Sequence, residues 1–152
     1  MKALTIWQPW ASLILAGAKP FEFRHWRIPP AMVGQRIGIH AGARPVRVSE
    51  IAQLRDEVEA EPGVAGLLDA AIALPLLRRW AEEPWRLPRS SIIATAQLLL
   101  PIPIAALVAA GKIKIDSDRI NHGVWAWPLS DVQAVEPMFP ARGAQGFWPC
   151  EA

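Results

Sequence analysis

The chain has 152 residues, the length of one domain, and its 52% of hydrophobic residues suffices for an ordinary core. A net charge of +2 and a single cysteine favour neither a strongly basic chain nor a disulfide framework nor a thiolate zinc site. No run of about eighteen apolar residues predicts a membrane span. We therefore expect one cytoplasmic domain without a membrane contact, a metal or another cofactor.

Charge is unevenly distributed along the sequence. Residues 1–48 contain seven basic side chains and one acidic side chain, whereas residues 49–89 contain eight acidic and five basic side chains. Segregation of this kind leaves a positive face that suits an anionic ligand.

Proline and glycine residues mark the limits of the first predicted elements. Residues 3–7 are predicted to form a short strand and residues 9–16 a helix. Pro9 suits the first helical turn because its missing N–H would be unpaired there, and Gly17 can end the helix in the left-handed conformation.

Residues 20–26 alternate with a period of two, which is typical of a strand. Phe21 and Phe23 are expected to face the core. The side chains expected on the opposite face are Glu22, Arg24 and Trp26. Residues 36–41 form the next predicted strand, expected to neighbour the strand at 20–26, with His40 near its end.

Residues 49–89 are interpreted as a helical insertion. Ser49 is a candidate N-cap for a helix over residues 50–60, and a second helical stretch is predicted over residues 64–80. Trp80 and Trp85 are expected to pack inside this insertion.

The remaining pattern is mainly that of strands. A strand is predicted over residues 91–100, a helical turn over 104–110, a turn at 121–123 before a strand at 124–127, and a loop over 142–148 that enters a closing strand. Short strands with long connections favour the α+β class, here a small mixed β-barrel with peripheral helices that spans residues 1–152 as a single domain.

Several of these segments together resemble the ASCH (activating signal cointegrator homology) domain. The opening residues with the family's spacing are Thr5, Ile6, Gln8, Pro9, Trp10, Ala11, Leu13, Ile14, Gly17, Lys19, Glu22, Arg24 and Trp26. The later ones are Ile39-His40-Ala41, the strand at 92–96, Ala126-Trp127-Pro128-Leu129 and the segment 142–148. The resemblance covers about half of the chain and omits residues 42–89.

The resemblance implies a PUA-like pseudo-barrel, which is a fold associated with RNA binding. Its Gly-x-Lys-x-x-Glu-x-Arg motif places Lys19, Glu22 and Arg24 in a ligand cleft. ASCH-like hydrolases of acetylated cytidine share the lysine that matches Lys19 but have threonine at the position of Glu22.

We expect Lys19 and Arg24 to contact phosphate and Glu22 to accept a hydrogen bond from a base edge. Trp26 is a candidate for base stacking. The other candidate ligand-binding residues are His40, Arg142 and Gln145, the last two by the family's placement of their loop near the cleft.

Three functions are consistent with these residues. The leading hypothesis is binding of single-stranded RNA, a nucleotide or a nucleoside. The second is a hydrolase, either a ribonuclease or an amidohydrolase of a modified nucleoside, with Lys19 and Glu22 as the catalytic acid/base pair. The third is a protein-interaction module, for which the apolar excess leaves room.

Overall fold

A computed structural model of the chain describes residues 1–62, 68–112 and 125–151. The strands are β1 (Lys2–Ile6), β2 (Phe21–Arg24), β3 (Arg36–Ala41), β4 (Ser91–Leu98), β5 (Ile102–Pro103), β6 (Trp125–Pro140) and β7 (Phe147–Pro149). The α-helices of these residues are α1 (Trp10–Leu15), α2 (Val48–Ala60), α3 (Ala70–Glu82) and α4 (Ile104–Ala109). Short 3₁₀ turns span Pro30–Met32 and Pro84–Arg86.

The strands form one curled sheet, a half-barrel with the order β2-β6-β4-β3-β1-β7, and β5 pairs with β6 beside this path. β1 runs parallel to β3, with Thr5 opposite His40, and the other pairs are antiparallel. The α+β class and the mixed, barrel-like sheet predicted from the sequence are confirmed.

The neighbours predicted for the strand at 20–26 are wrong. β2 pairs with β6, so that Glu22 lies opposite Trp127, while β3 lies between β1 and β4. The cause is the length of β6, whose 16 residues reach both β2 and β4. The sequence predicted a strand there only up to residue 127, because prolines and polar residues interrupt the alternation beyond it. The turn predicted at 121–123 lies outside the described residues.

Burial in β2 also differs from the expected alternation. Phe21 and Phe23 are half-buried against α4, and Glu22 on the opposite face is buried as well. Both faces of this short strand are therefore covered by other parts of the molecule.

The main core fills the inside of the half-barrel, with Leu4, Ile6, Ile39 and Trp127 at its centre. A second cluster joins the two helices of the insertion to α1, through Leu13 and Leu77 among others. Helices α2 and α3 thus pack against α1.

Local details of the insertion differ from the sequence prediction. α2 begins at Val48, directly after Arg47, so Ser49 lies inside the helix and is not its N-cap. Trp80 is buried as expected, whereas Trp85 is 75% exposed. Trp85 lies in the 3₁₀ turn after α3, which carries it away from the helix–helix contact.

Two hydrogen bonds tie this insertion to the N-terminal segment. The Asp69 backbone N–H donates to the Ala18 carbonyl at 2.8 Å, just before Lys19. The buried side chain of Gln8 accepts from the Ser12 N–H and donates to the Pro88 carbonyl at 2.8 Å. The start of α3 and the C-terminal end of the insertion are therefore anchored on either side of α1. Among the described residues, no helix combines the length and the hydropathy that crossing a membrane requires.

Candidate functional site

The corner between α1 and β2 holds Lys19 in a buried position. Gly17 has a φ of +82°, the left-handed conformation that ends the helix, and the chain turns directly into β2. The Lys19 side chain is only 5% exposed, and its Nζ donates to the Phe21 carbonyl at 2.6 Å. Nζ also lies 4.8 Å from the ring centre of Phe23 and 5.3 Å from that of Trp10. The ammonium group is therefore held by a carbonyl and by the faces of two aromatic rings.

Glu22 and Arg24 form an ion pair on β2. Arg24 Nε lies 3.2 Å from Glu22 Oε1, which is close enough for attraction between the charges, although the N–H is not aligned for a hydrogen bond. Glu22 is 9% exposed, whereas a larger part of Arg24 reaches the surface. The pair therefore has an inner acidic end and an outer basic end.

Three buried side-chain atoms at this pair and beside it have no hydrogen-bond partner within the described part of the chain. They are Glu22 Oε2, Arg24 Nε and Trp127 Nε1. Because Glu22 and Trp127 are directly opposite across β2 and β6, their side chains project from the same face of the sheet. One unmet acceptor, on Glu22, and two unmet donors, on Arg24 and Trp127, are therefore buried on this face of the sheet.

Aromatic rings pack around Trp127. The ring of Trp26 meets Trp127 edge-on, with 4.6 Å between the ring centres, and Phe147 stacks on Trp127 at 5.6 Å. We call Glu22, Arg24, Trp26 and Trp127 the Glu22 cluster; Lys19 lies at the adjoining corner, where it contacts Phe21, Phe23 and Trp10.

Arg24 also connects two distant parts of the sheet. β7 pairs only with residues 2–4 of β1, so the Thr5 carbonyl lies beyond the end of that pairing. Arg24 Nη2 donates to this carbonyl at 3.1 Å. The strand at one edge of the sheet is thereby joined to the strand next to the other edge.

An open pocket of about 690 Å³ lies beside the Thr5 side chain. The other predicted site residues in its lining are His40, Arg142 and Gln145. The structure thus divides the predicted residues between the Glu22 cluster, with Lys19 at the adjoining corner, and this pocket. Thr5 contributes its carbonyl to the cluster and its side chain to the pocket.

His40 is 1% exposed, and both ring nitrogens have partners. Nε2 lies 2.7 Å from the Ala141 carbonyl, which can only accept, so Nε2 carries the proton. In the neutral ring Nδ1 then accepts from the Thr5 hydroxyl at 3.1 Å, and that hydroxyl accepts from Trp148 Nε1 at 3.0 Å. This chain of hydrogen bonds holds His40 in the floor of the pocket.

Arg142 and Gln145 lie on the loop that covers this floor, and both are exposed. Neither forms a hydrogen bond or an ion pair with another described residue, so their polar groups are available to a ligand. Gly143 between them lies directly against the floor, since a Cβ there would be 2.6 Å from Thr5 Oγ1.

Sequence reasoning missed Thr5 and Trp127 as members of the site. Both lie within segments that carried the family resemblance. The sequence does not show, however, which residues the sheet places next to them. Their importance comes from pairing, since β1 lies next to β3 and β2 lies next to β6.

The curled half-barrel sheet with its surrounding helices defines a mixed α+β class. The model of the ASCH domain family matches residues 4–114, which is 111 of the 152 residues. The chain therefore belongs to the ASCH domain family, and this membership supports a general RNA-binding function.

Three solved structures of one bacterial protein are similar to this chain. The crystal structure of ASCH from Zymomonas mobilis is 16% identical, with a TM-score of 0.47, over 93% of this chain and 72% of that chain. A serine-to-alanine mutant of that protein gives the same values. A tyrosine-to-phenylalanine mutant is 17% identical, with a TM-score of 0.47, over 93% and 74% of the two chains. The comparison with curated proteins found no match.

Proposed function

We propose that this chain binds an unpaired base of single-stranded RNA, or a free nucleotide, at the Glu22 cluster. The observation that carries the proposal is the buried Glu22 Oε2, which has no partner among the described residues. Leaving a buried carboxylate oxygen unpaired costs free energy, typically about 1–3 kcal/mol or more for a charged group. A ligand that donates a hydrogen bond to this atom recovers that cost.

The neighbouring indole narrows the chemistry of the ligand. Trp127 Nε1–H is an unmet donor on the residue directly opposite Glu22 across β2 and β6, and Arg24 Nε–H is a further unmet donor. The edge of a nucleobase carries a donor and an acceptor side by side, as in the amino group and the ring nitrogen of cytosine or adenine. RNA-binding proteins commonly read such edges on bases that are splayed out of a helix.

The outer part of the cluster suits the rest of a nucleotide. Arg24 exposes part of its guanidinium, and Trp26 is half-buried at the surface next to it. Arg24 is assigned to a phosphate and Trp26 to the face of the base. Because the unmet atoms are buried, the side chains of Arg24 and Trp26 must shift to admit the base. Rotamer changes of this kind are common on binding.

The test measures the affinity of a short fluorescently labelled single-stranded RNA by anisotropy. Glu22→Gln should weaken binding by roughly tenfold to a hundredfold, since hydrogen bonds to charged groups contribute about 1.5–3 kcal/mol. Glu59→Gln is the matched control, because Glu59 is an exposed glutamate of α2 that pairs with Arg78 far from the cluster in sequence. Equal affinities of Glu22→Gln and the unmodified protein would contradict the assignment.

Lys19 has two possible roles, which the salt dependence of binding separates. If its ammonium contacts a phosphate, Lys19→Ala lowers the slope of log affinity against log salt by about 0.7. If it supports the corner from its buried position on the Phe21 carbonyl, affinity falls while the slope stays the same. Arg24→Ala should lower both the affinity and the slope.

A hydrolase is the second candidate, and the burial of Lys19 and Glu22 favours it. Titratable groups held in a buried site often take part in acid/base catalysis. In this case turnover of RNA or of an acetylated nucleoside should disappear in Lys19→Ala and also in Glu22→Gln. Full turnover in either variant would exclude this pair as the acid and base.

A further inference from the structure

The pocket beside Thr5 lies on the opposite face of β1 from Trp127. Leu4 and Ile6 pack in the same core cluster as Trp127, and side chains alternate between faces along a strand. The Thr5 side chain therefore points away from that cluster and into the pocket. At about 690 Å³ the pocket falls within the usual range of small-molecule sites, about 300–1,000 Å³.

Trp7 is 56% exposed and follows Thr5, a lining residue of the pocket, by two positions, but is not itself among the described lining residues. A Cβ on Gly42 would be 3.2 Å from Trp7 Cδ1 and 3.3 Å from Thr5 Cγ2, so the indole and the Thr5 methyl group approach the same point of the backbone. Large exposed aromatic rings next to a cavity are typical of surfaces that stack a planar ligand.

The indole is held in place by a second planar group. Arg44 Cζ lies 4.4 Å from the centre of the Trp7 ring, and two hydrogen bonds of 2.6 and 2.9 Å fix its guanidinium to the Glu50 carboxylate. The stack is therefore ordered before a ligand arrives, which lowers the entropic cost of binding.

The surroundings of the pocket are basic. Arg142 lines it without a partner among the described residues, and Arg89 Nη1 donates to the carbonyl of Ala43, another lining residue. The described lining contains no acidic side chain. A planar platform beside arginines suits a base that is linked to a phosphate.

We infer that this pocket is a second nucleotide subsite, in which Trp7 stacks a base, Arg142 binds its phosphate and Gln145 hydrogen-bonds to the base or sugar. The inference rests on the proposed function and specifies its ligand more closely. The ligand is then a single strand with at least two consecutive nucleotides, one at the Glu22 cluster and one in the pocket, joined past the Thr5 end of β1. A mononucleotide fills only one of the two.

The test compares variants of exposed residues, which should leave the fold intact, as thermal unfolding can verify. Trp7→Ala should weaken binding of a short labelled single-stranded RNA by about tenfold or more, the usual effect of losing one stacked base. Arg142→Ala should weaken it as well and lower the salt slope by about 0.7. The controls are Trp85→Ala, which removes another exposed tryptophan, and Arg55→Ala, which removes an arginine of α2.

The outcomes separate this inference from the proposed function. If Trp7→Ala and Arg142→Ala bind the RNA like the unmodified protein while Glu22→Gln does not, the pocket is no subsite and the Glu22 cluster keeps its role. If Trp7→Ala and Trp85→Ala lose affinity equally, the effect is not specific to the pocket and the inference is wrong. If the unmodified protein binds no RNA at low salt, both proposals are wrong.

Discussion

At the scale of single residues, Gly143 is a position where the fold leaves no space for a side chain. A Cβ there would lie 2.6 Å from Thr5 Oγ1 and 2.7 Å from His40 Cε1. Contacts under 3 Å to two groups that are themselves fixed by hydrogen bonds cannot be relieved by a small shift of one flexible side chain. This glycine is required for close approach of the loop to the pocket floor.

Gly143→Ala should therefore lower the free energy of unfolding by about 1–3 kcal/mol, the usual range for overpacking. The added methyl group either displaces the loop or breaks the hydrogen bond between Thr5 and His40. Chemical denaturation with urea measures the effect. Ala144→Ser, at the exposed next position, is the matched control and should be nearly neutral. A Gly143→Ala variant as stable as the unmodified protein would show that the loop does not press on the floor.

At the scale of elements, the first turn of α2 is tied to the segment after β3. Glu50 in that turn accepts two hydrogen bonds from Arg44, and Arg44 lies on Trp7 after β1. The hydrogen bonds to Arg44 and its positive charge lower the pKa of Glu50, assisted by the charge of Arg47. One carboxylate thus connects the insertion with the end of the sheet.

The lowered pKa of Glu50 predicts a pH dependence of stability. The folded protein releases this proton more readily than the unfolded chain, whose glutamates titrate near about 4.3. The contribution of the Glu50 carboxylate to the free energy of unfolding is therefore complete above that pH. It is lost as the pH falls through the lower pKa that Glu50 has in the folded state. Glu50→Gln should be less stable than the unmodified protein near neutral pH, and the difference should shrink as the pH is lowered.

Urea denaturation at several pH values between roughly 3 and 7 measures this difference. The control is the same Glu50→Gln change made in an Arg44→Ala background, where the main cause of the lowered pKa is absent. The pH dependence of the difference should be smaller there. If it is equally large in both backgrounds, Arg44 is not the partner that matters.

At the scale of the whole molecule, the half-barrel is closed by side chains, since β2 and β7 stand at opposite ends of the strand order. Arg24 of β2 donates to the Thr5 carbonyl of β1, and Trp26 after β2 contacts Phe147 of β7 with 5.8 Å between ring centres. The Glu22 cluster therefore lies at the seam where the two ends of the sheet meet, so the residues of the proposed ligand site also stabilise the fold.

Arg24→Met should lower the free energy of unfolding by about 2–3 kcal/mol. Removing the cation leaves the Glu22 carboxylate buried without its counter-charge. The expected loss of stability lies at or below the lower limit usual for breaking a buried ion pair, because part of Arg24 is exposed. The same change made in a Glu22→Gln background should cost clearly less. The four proteins form a double-mutant cycle that urea denaturation can measure. Additive effects of the two changes would show that the ion pair does not stabilise the closed seam.

Local patterns predicted much of this architecture. The strand over 36–41, the corner between α1 and β2 and the helical turn near 104 lie where periodicity, Gly17 and prolines placed them. These features depend on neighbours within a few residues, which a sequence displays directly. The partner of β2 was predicted wrongly because strand pairing depends on residues more than a hundred positions away.

The sequence by itself determined the class of the protein, because the spacing of Gly17, Lys19, Glu22 and Arg24 and the alternation of the strands are local properties of the chain. Only the tertiary structure decided how those residues are used. Folding buries Lys19 and pairs Glu22 with Arg24, and it brings Trp127 beside Glu22 through the long strand β6. It also places the remaining candidates, His40, Arg142 and Gln145, in a separate pocket on the other face of β1. Burial, unmet hydrogen bonds and the two faces of a strand arise only when distant segments pack together, and for that physical reason the chain pattern alone does not specify them.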